Sequence, residues 1–200
     1  MEPFNGSAIE RALAPLSREA QVAFAISCCE RLYPNYLAFK RETGWGEPDV
    51  LRKALDLAWS FLEGVWPSPD SVALVRQQIQ AAEPETEDFN TILVSSALDA
   101  AACANLILQF VEEGGVGKIV EIASLCRDTV DMFVQDQDGL VPTDPKLEER
   151  ILNHRLMQAE LQRQHDDLLD LKSFSGLPTE VAKLREKWRN PQKSNIDQSG

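Results

Sequence analysis

Residues 92–111 read ILVSSALDAAACANLILQFV. A membrane-spanning helix needs about 20 predominantly apolar residues, and this run has that length. Whether it crosses a bilayer or fills a core decides the fold. Asp99 stands near its middle, where a charge costs roughly 2.5–3.5 kcal/mol even on a lenient insertion scale. Glu87 and Asp88 precede the run, and Glu112 and Glu113 follow it. Its Ala, Ser and Cys content suits a helix that neighbours approach closely on most sides. We read it as the central apolar helix of an all-α bundle.

Gly114, Gly115 and Gly117 then permit a tight reversal. The next helix, at about 116–135, carries Ile119, Ala123, Cys126, Val130 and Phe133 on one face. Its other face shows Lys118, Glu121, Asp128 and Asp131. On the upstream side, Ser68 as N-cap and Pro69 at the first helical position start a helix that reaches Ala82. Pro48 fits the first turn of a helix lined by Leu51, Leu55, Ala58 and Leu62. Ser17 caps another, with Val22, Ile26, Cys29 and Tyr33 four, three and four residues apart.

Residues 28–44, CCERLYPNYLAFKRETG, read as a corner. Tyr33 precedes a proline and is biased out of the helical region. Pro34 suits the first position of a second, short helix, and Gly44 the residue past its end. Downstream, DQDGLVPTDP is a loop, one long helix covers about 145–172, SFSGLP separates it from the next, and a last helix covers about 179–188. No alternating strand pattern, internal repeat or domain-splitting linker is present. The expectation is a compact all-α bundle of about seven to nine helices. It forms one domain over residues 1–190, followed by a polar tail over 191–200.

The 200 residues hold 20 Lys and Arg against 32 Asp and Glu, a formal net charge of −12. Such a surface repels phosphate backbones and anionic lipid, so neither nucleic acid nor a membrane is an expected partner. A protein partner, basic or belonging to a signalling system, fits better. The N-terminal MEPFNGSAIERALAPLS lacks the basic and apolar regions of a secretory signal. Cys28, Cys29, Cys103 and Cys126 all lie in apolar helical runs, where free cysteine acts as a small hydrophobe. The expected location is the cytoplasm.

Leu147, Ile151, His154, Gln158, Leu161, His165 and Leu168 recur three and four apart and share one face of the predicted long helix. Both histidines of the chain lie there. They start about 16 Å apart, too far for one metal ion. We read them as partly buried, hydrogen-bonded side chains at a helix seam, a seam that also permits a homodimer. The Glu-x-x-His pairs of di-iron bundles are missing. A phosphotransfer histidine wants positive charge around an exposed ring, and His154 has only Arg155 beside it. Asp99, if buried, must be tied to a neighbour or carry a raised pKa beside an internal cleft. Asp128 and Asp131 share a face with Arg127 beside them and make up only part of a cation shell. No hydrolase, P-loop or dinucleotide motif occurs. Neither a cofactor nor a metal is expected. KLREKWR, residues 183–189, adds local positive charge at a helix end, with Trp188 exposed for docking on the body or on a partner.

The ordered set CERLYPNY and TGWG, then ALDLAW, EDF before a helix bearing LDAA, RDTVDMF and a late SNI resembles the YjaG-like bacterial family, domain of unknown function 416. The pieces span nearly the whole chain. The ending SNIDQSG departs from the SNIG expected of that family, so the resemblance assigns the extreme tail no role. The resemblance implies an all-α cytoplasmic domain with no established activity, family hints of signalling, and a proposed kinship to immunity proteins. It transfers no catalytic residue. The readings carried forward are a non-enzymatic interaction or regulatory module, an immunity-type protein masking a basic toxin, and a small-molecule binder or enzyme with an inter-helix pocket near Asp99 and His154 or His165.

Overall fold

The computed structural model describes residues 4–189 and 193–196. Among them are nine α-helices and one 3-10 turn: α1 (Gly6–Leu13), α2 (Arg18–Thr43), α3 (Pro48–Leu62), α4 (Pro69–Ala82), the turn Thr86–Asp88, α5 (Val94–Glu113), α6 (Val116–Asp138), α7 (Leu147–Asn153), α8 (Arg155–Leu171) and α9 (Pro178–Trp188). No strand occurs among the described residues. The helix starts follow local chemistry. Ser17 Oγ accepts from the Ala20 N–H at 3.1 Å and Ser68 Oγ from the Ser71 N–H at 3.2 Å, which satisfies donors that have no partner within the first turn. Pro48, Pro69 and Pro178 sit at the first helical position, where a missing N–H costs nothing.

α5 is the apolar helix at the centre. It packs against α2, α3, α4 and α6, and two thirds of its most apolar window is buried inside the fold. Its length and mean hydropathy of 1.5 match those of a membrane span, but the core of this fold takes up that surface. Each fully buried Ile, Leu or Phe contributes about 1.5–3 kcal/mol relative to exposure. Ala97, Ala101 and Ala104 are buried, and such small side chains leave room for neighbouring helices to come close. A second, smaller apolar cluster joins Val130, Phe133 and Val134 of α6 to Ile151, Leu156, Met157 and Leu161, with Ile196 of the tail inserted into it.

The corner predicted at Pro34 is not there. α2 runs unbroken for 26 residues with Pro34 inside it. Pro34 lacks the N–H that would close on the Glu30 carbonyl, a loss that breaks an isolated helix. Here residues 28–32 and 34–36 are all buried by surrounding helices, and tertiary packing outweighs local preference. The tail adds a donor to the neighbouring carbonyl rather than to that of Glu30. The Asn195 N–H reaches the Arg31 carbonyl, three residues ahead of the proline, at 3.3 Å.

α2 ends at Gly44, whose φ of 76° is the left-handed cap conformation. Gly46 has a stricter role. A Cβ there would lie 2.7 Å from Tyr36 Oη, which donates to the Ala82 carbonyl at 2.6 Å and accepts from the Glu47 N–H at 3.2 Å. Tyr36 and the TGWG turn are thus one packed unit.

The single long helix predicted over 145–172 is two. α7 and α8 meet at His154, whose φ of −68° and ψ of 140° are extended. Trp188, expected to be exposed, is 8% exposed and packs its ring 6.3 Å from that of Trp59.

Candidate functional site

Glu30, Arg31 and Asn35 of CCERLYPNY are buried at the middle of α2, and each has a side-chain partner. Glu30, 3% exposed, accepts from Arg52 Nη1 and Nη2 at 2.9 and 2.8 Å and from Trp59 Nε1 at 2.8 Å. Arg31 points the other way. Its Nε and Nη2 donate to the two Glu160 oxygens at 3.2 Å, its Nη1 to Asp167 Oδ2 at 2.7 Å, and its Nη2 also to Cys28 Sγ at 3.4 Å. Gln164 Nε2 bridges Glu160 Oε1 at 2.9 Å and the Ala123 carbonyl at 3.0 Å. Asp167 Oδ1 accepts from Trp188 Nε1 and Lys187 Nζ, each at 3.1 Å. The result is a chain of alternating charge running from α2 through α8 to α9.

Burial works against the Arg31 charge, but Glu160, Cys28, Cys126 and Asp167 more than offset it and hold its pKa above the ordinary value. Burial likewise opposes the Lys187 charge, and hydrogen bonds to Asp170 and Asp167 raise its pKa. Each carboxylate in the chain is engaged by a fixed cation. This arrangement orients helices; it leaves no base poised beside a nucleophile.

Two concavities flank α9. One is an open cleft of about 1020 Å³ between the start of α2, the loop after α3 and the outer face of α9. Phe61, Trp66, Phe174 and Val181 give it an apolar lining, with Glu19 and Arg185 among its charged residues. Val65 and Trp66 are each 63% exposed, and Leu177 is 56% exposed. The Trp66 ring meets Phe61 edge-on at 4.7 Å, with the Arg18 guanidinium 5.4 Å from its centroid. Arg18 is itself fixed by the Val111 carbonyl at 2.7 Å. The other concavity is a cavity of about 250 Å³ at the outer end of the charge chain, lined by Arg31, Arg163, Asp167, Lys187, Trp188 and Lys193.

The residues singled out in the sequence are not gathered into one site. Asp99 is half-buried on α5, and its Oδ2 lies 2.7 Å from Thr129 Oγ1 on α6. Burial raises its pKa to about 6, with Asp128 adding to the rise and Thr129 opposing it. The same Thr129 hydroxyl lies 2.8 Å from the Leu125 carbonyl. One hydroxyl proton cannot serve both acceptors. Both contacts are satisfied when Asp99 is protonated and donates to Thr129, which then donates to Leu125.

Asp128 and Asp131 both pair with Arg127, Asp131 at 3.2 Å, and Asp131 also accepts from Gln135 Nε2 at 2.6 Å. Burial raises the Asp128 pKa, Arg127 lowers it and Asp131 raises it again. Among the described residues, no three His, Cys, Asp or Glu side chains are grouped to hold a metal ion. The two histidines do not share a seam. His154 is the half-buried N-cap of α8, its Nδ1 accepting from the Leu156 N–H at 3.3 Å. His165 is exposed and borders a cavity of about 350 Å³ between α1 and α8. The break at His154 resets the helical register, so α8 buries Glu160, Gln164 and Asp167 and turns His165 outward. Neither Asp99 nor His154 lines these cavities.

Sequence reasoning missed Glu30, Arg31, Asn35, Glu160, Gln164, Asp167 and Asn195. One signal was present: Glu30 and Arg31 interrupt an otherwise apolar stretch in the middle of a helix, where charges stay only if partnered. Asn195 completes the centre of α2. Its Oδ1 accepts from Asn35 Nδ2 and its Nδ2 donates to the Cys126 carbonyl, both at 2.9 Å. Residues 194–196 of the predicted tail therefore dock on the body; the remainder of 191–200, apart from Lys193, lies outside the described residues. All four cysteines are free and buried.

The family described as Protein of unknown function (DUF416) matches residues 8–197. The uncharacterized protein YjaG of Escherichia coli (strain K12) is 31% identical over 129 residues, 64% of this chain and 65% of that protein. YjaG of Salmonella typhimurium is 29% identical over 127 residues, 63% of this chain and 64% of that protein. The match thus spans just under two thirds of these curated relatives. The crystal structure of a DUF416 family protein from Shewanella baltica OS155 superimposes with a TM-score of 0.85 at 25% identity, covering 98% of each chain.

Proposed function

The chain belongs to the DUF416 family, whose description names no activity, and from that premise we propose that it works as a non-enzymatic protein-interaction module docking through the cleft between α3 and α9. One observation carries the proposal: Trp66, exposed at the mouth of a cleft of about 1020 Å³, stands on a rigid support of Phe61 and Arg18. An aromatic side chain held in place before binding loses little freedom on docking, and such anchors dominate interface energies. Val65 and Leu177, each flanked in the chain by residues that line the cleft, are exposed apolar side chains as well.

The partner is a basic protein. A net charge of −12 attracts one and speeds encounter, which is also what an immunity-type role against a basic toxin would use. The paired state of the buried carboxylates Glu30, Glu160 and Asp167 supports the non-enzymatic reading. Four free, buried thiols support a reducing compartment, and we place the protein in the cytoplasm.

The test is affinity purification from the host lysate at low salt, with wild type and Trp66→Ala side by side. The expected result is a basic partner retained by wild type, released as salt rises, and lost with Trp66→Ala through an affinity drop of about 2 kcal/mol or more. Identical capture by both proteins, or capture of no basic protein at low salt, would overturn the proposal.

A further inference from the structure

We propose that the cavity where α2, α8 and α9 meet binds a small phosphomonoester. Its lining holds four cationic side chains, Arg31, Arg163, Lys187 and Lys193, and one carboxylate, Asp167. This concentration of positive charge occurs in a chain of net charge −12. Glu160 behind Arg31 and Asp170 on Lys187 bring the local count to four cations against three carboxylates. Arg163 and Lys193 provide the surplus. Among the described residues neither pairs with a carboxylate, and Arg163 Nη1 bonds only the Ser194 carbonyl, at 3.3 Å.

The floor is a built one. The Arg31 side chain is 9% exposed and locked by Glu160 and Asp167. Its contacts with Glu160, Asp167 and Cys28 use four of the five guanidinium N–H donors, and the fifth, on Nη1, remains for a ligand. Guanidinium and ammonium donors around a small cavity suit the oxygens and double negative charge of a phosphoryl group better than a single carboxylate. Drug-sized ligands occupy pockets of about 300–1,000 Å³. At about 250 Å³ this cavity takes a phosphoryl group on a short organic body, with the Trp188 ring beside it as a wall.

The site stands apart from the docking cleft. Arg185 and Val181 of α9 face the cleft, whereas Lys187 and Trp188 face the cavity. Failure of one reading leaves the other intact.

The test uses the full chain with inorganic phosphate and glycerol 3-phosphate as probes. Sodium chloride at matched ionic strength is the control, read by titration calorimetry and thermal unfolding. The second protein is the double variant Arg163→Ser with Lys193→Ser, both sites being exposed and clear of the core. Saturating glycerol 3-phosphate is expected to raise Tm by about 2–4 °C where sodium chloride does not. It should bind more tightly than inorganic phosphate, and the double variant should lose about tenfold or more in affinity. Three results would each overturn the proposal: no binding of either probe, equal stabilisation by sodium chloride, or undiminished binding in the double variant. Binding of inorganic phosphate with no gain for the ester would overturn the phosphomonoester assignment.

Discussion

α5 and α8 both send side chains into the interior, and they do so by different physics. α5 buries Ala, Cys, Ile, Leu, Val and Phe, with Ser96 its only fully buried polar residue. α8 buries Glu160, Gln164 and Asp167 beside five apolar residues. Apolar packing is non-directional, so a helix such as α5 is placed by shape and volume and tolerates volume-conserving change. A buried ion pair is directional and adds little net stability, because desolvation offsets most of the attraction. Removing one member, however, strands the other in a medium that cannot solvate it. α5 thus supplies stability, while the contacts of α8 with α2 and α9 fix where α8 must sit.

The sharpest way to break that contrast is Arg31→Met. It leaves Glu160 and Asp167 buried without their guanidinium and should cost about 3–5 kcal/mol in urea unfolding. Replacing Arg31, Glu160 and Asp167 together with apolar residues of similar volume should recover most of that loss. If the single variant costs under about 1 kcal/mol, the directional account of α8 fails.

Asn195→Ala probes a neutral tie of the same kind. It removes the acceptor of Asn35 Nδ2 and the donor to the Cys126 carbonyl, both buried. The expected loss is about 1–3 kcal/mol, measured by the shift of the unfolding midpoint. A midpoint equal to wild type would show that the SNI segment is only resting on the body.

Asp99→Asn should have the smallest effect, and the opposite sign. Asp99 titrates near 6 in the fold and about 3.9 unfolded, so the unfolded chain gives up its proton first as pH rises. Its contribution to stability therefore declines between about pH 4 and 6 and stays low above that range. Asparagine mimics the protonated acid and donates to Thr129 at every pH. The variant should match wild type below about pH 4 and exceed it at pH 8 by roughly 1–2 kcal/mol, after allowance for partial exposure. Parallel stability curves across that range would contradict the raised pKa.

Most of the helical framework was legible because its signals are local. Ser17 and Ser68 cap, Pro48 and Pro69 open helices, Gly44 and Gly114 close them, and the three-to-four spacing of apolar residues marks the buried faces. Two boundaries were misread for opposite reasons. At Pro34 a strong local breaker is overruled by burial on nearly every side of α2. At His154 no proline or glycine announces a break that the structure nonetheless makes, and the misplaced register put the histidines on the inner face in place of Glu160, Gln164 and Asp167. The partners of Arg31 lie 129 and 136 positions away in the chain, and no local pattern encodes such a pairing. The Trp66 cleft was equally out of reach, since its walls come from α2, α3 and α9.

The tie between Asn35 and Asn195 spans 160 positions. During synthesis α2 therefore leaves the ribosome with its middle unfinished. At about 5–20 residues per second, roughly 8–32 s pass before the amide that serves Asn35 exists. Over that interval α3, α5 and α6 can pack on α2 as they emerge, while the Asn35 amide still waits for its partner, so a chaperone or a premature partner would find the nascent chain open beside Asn35, at the middle of α2.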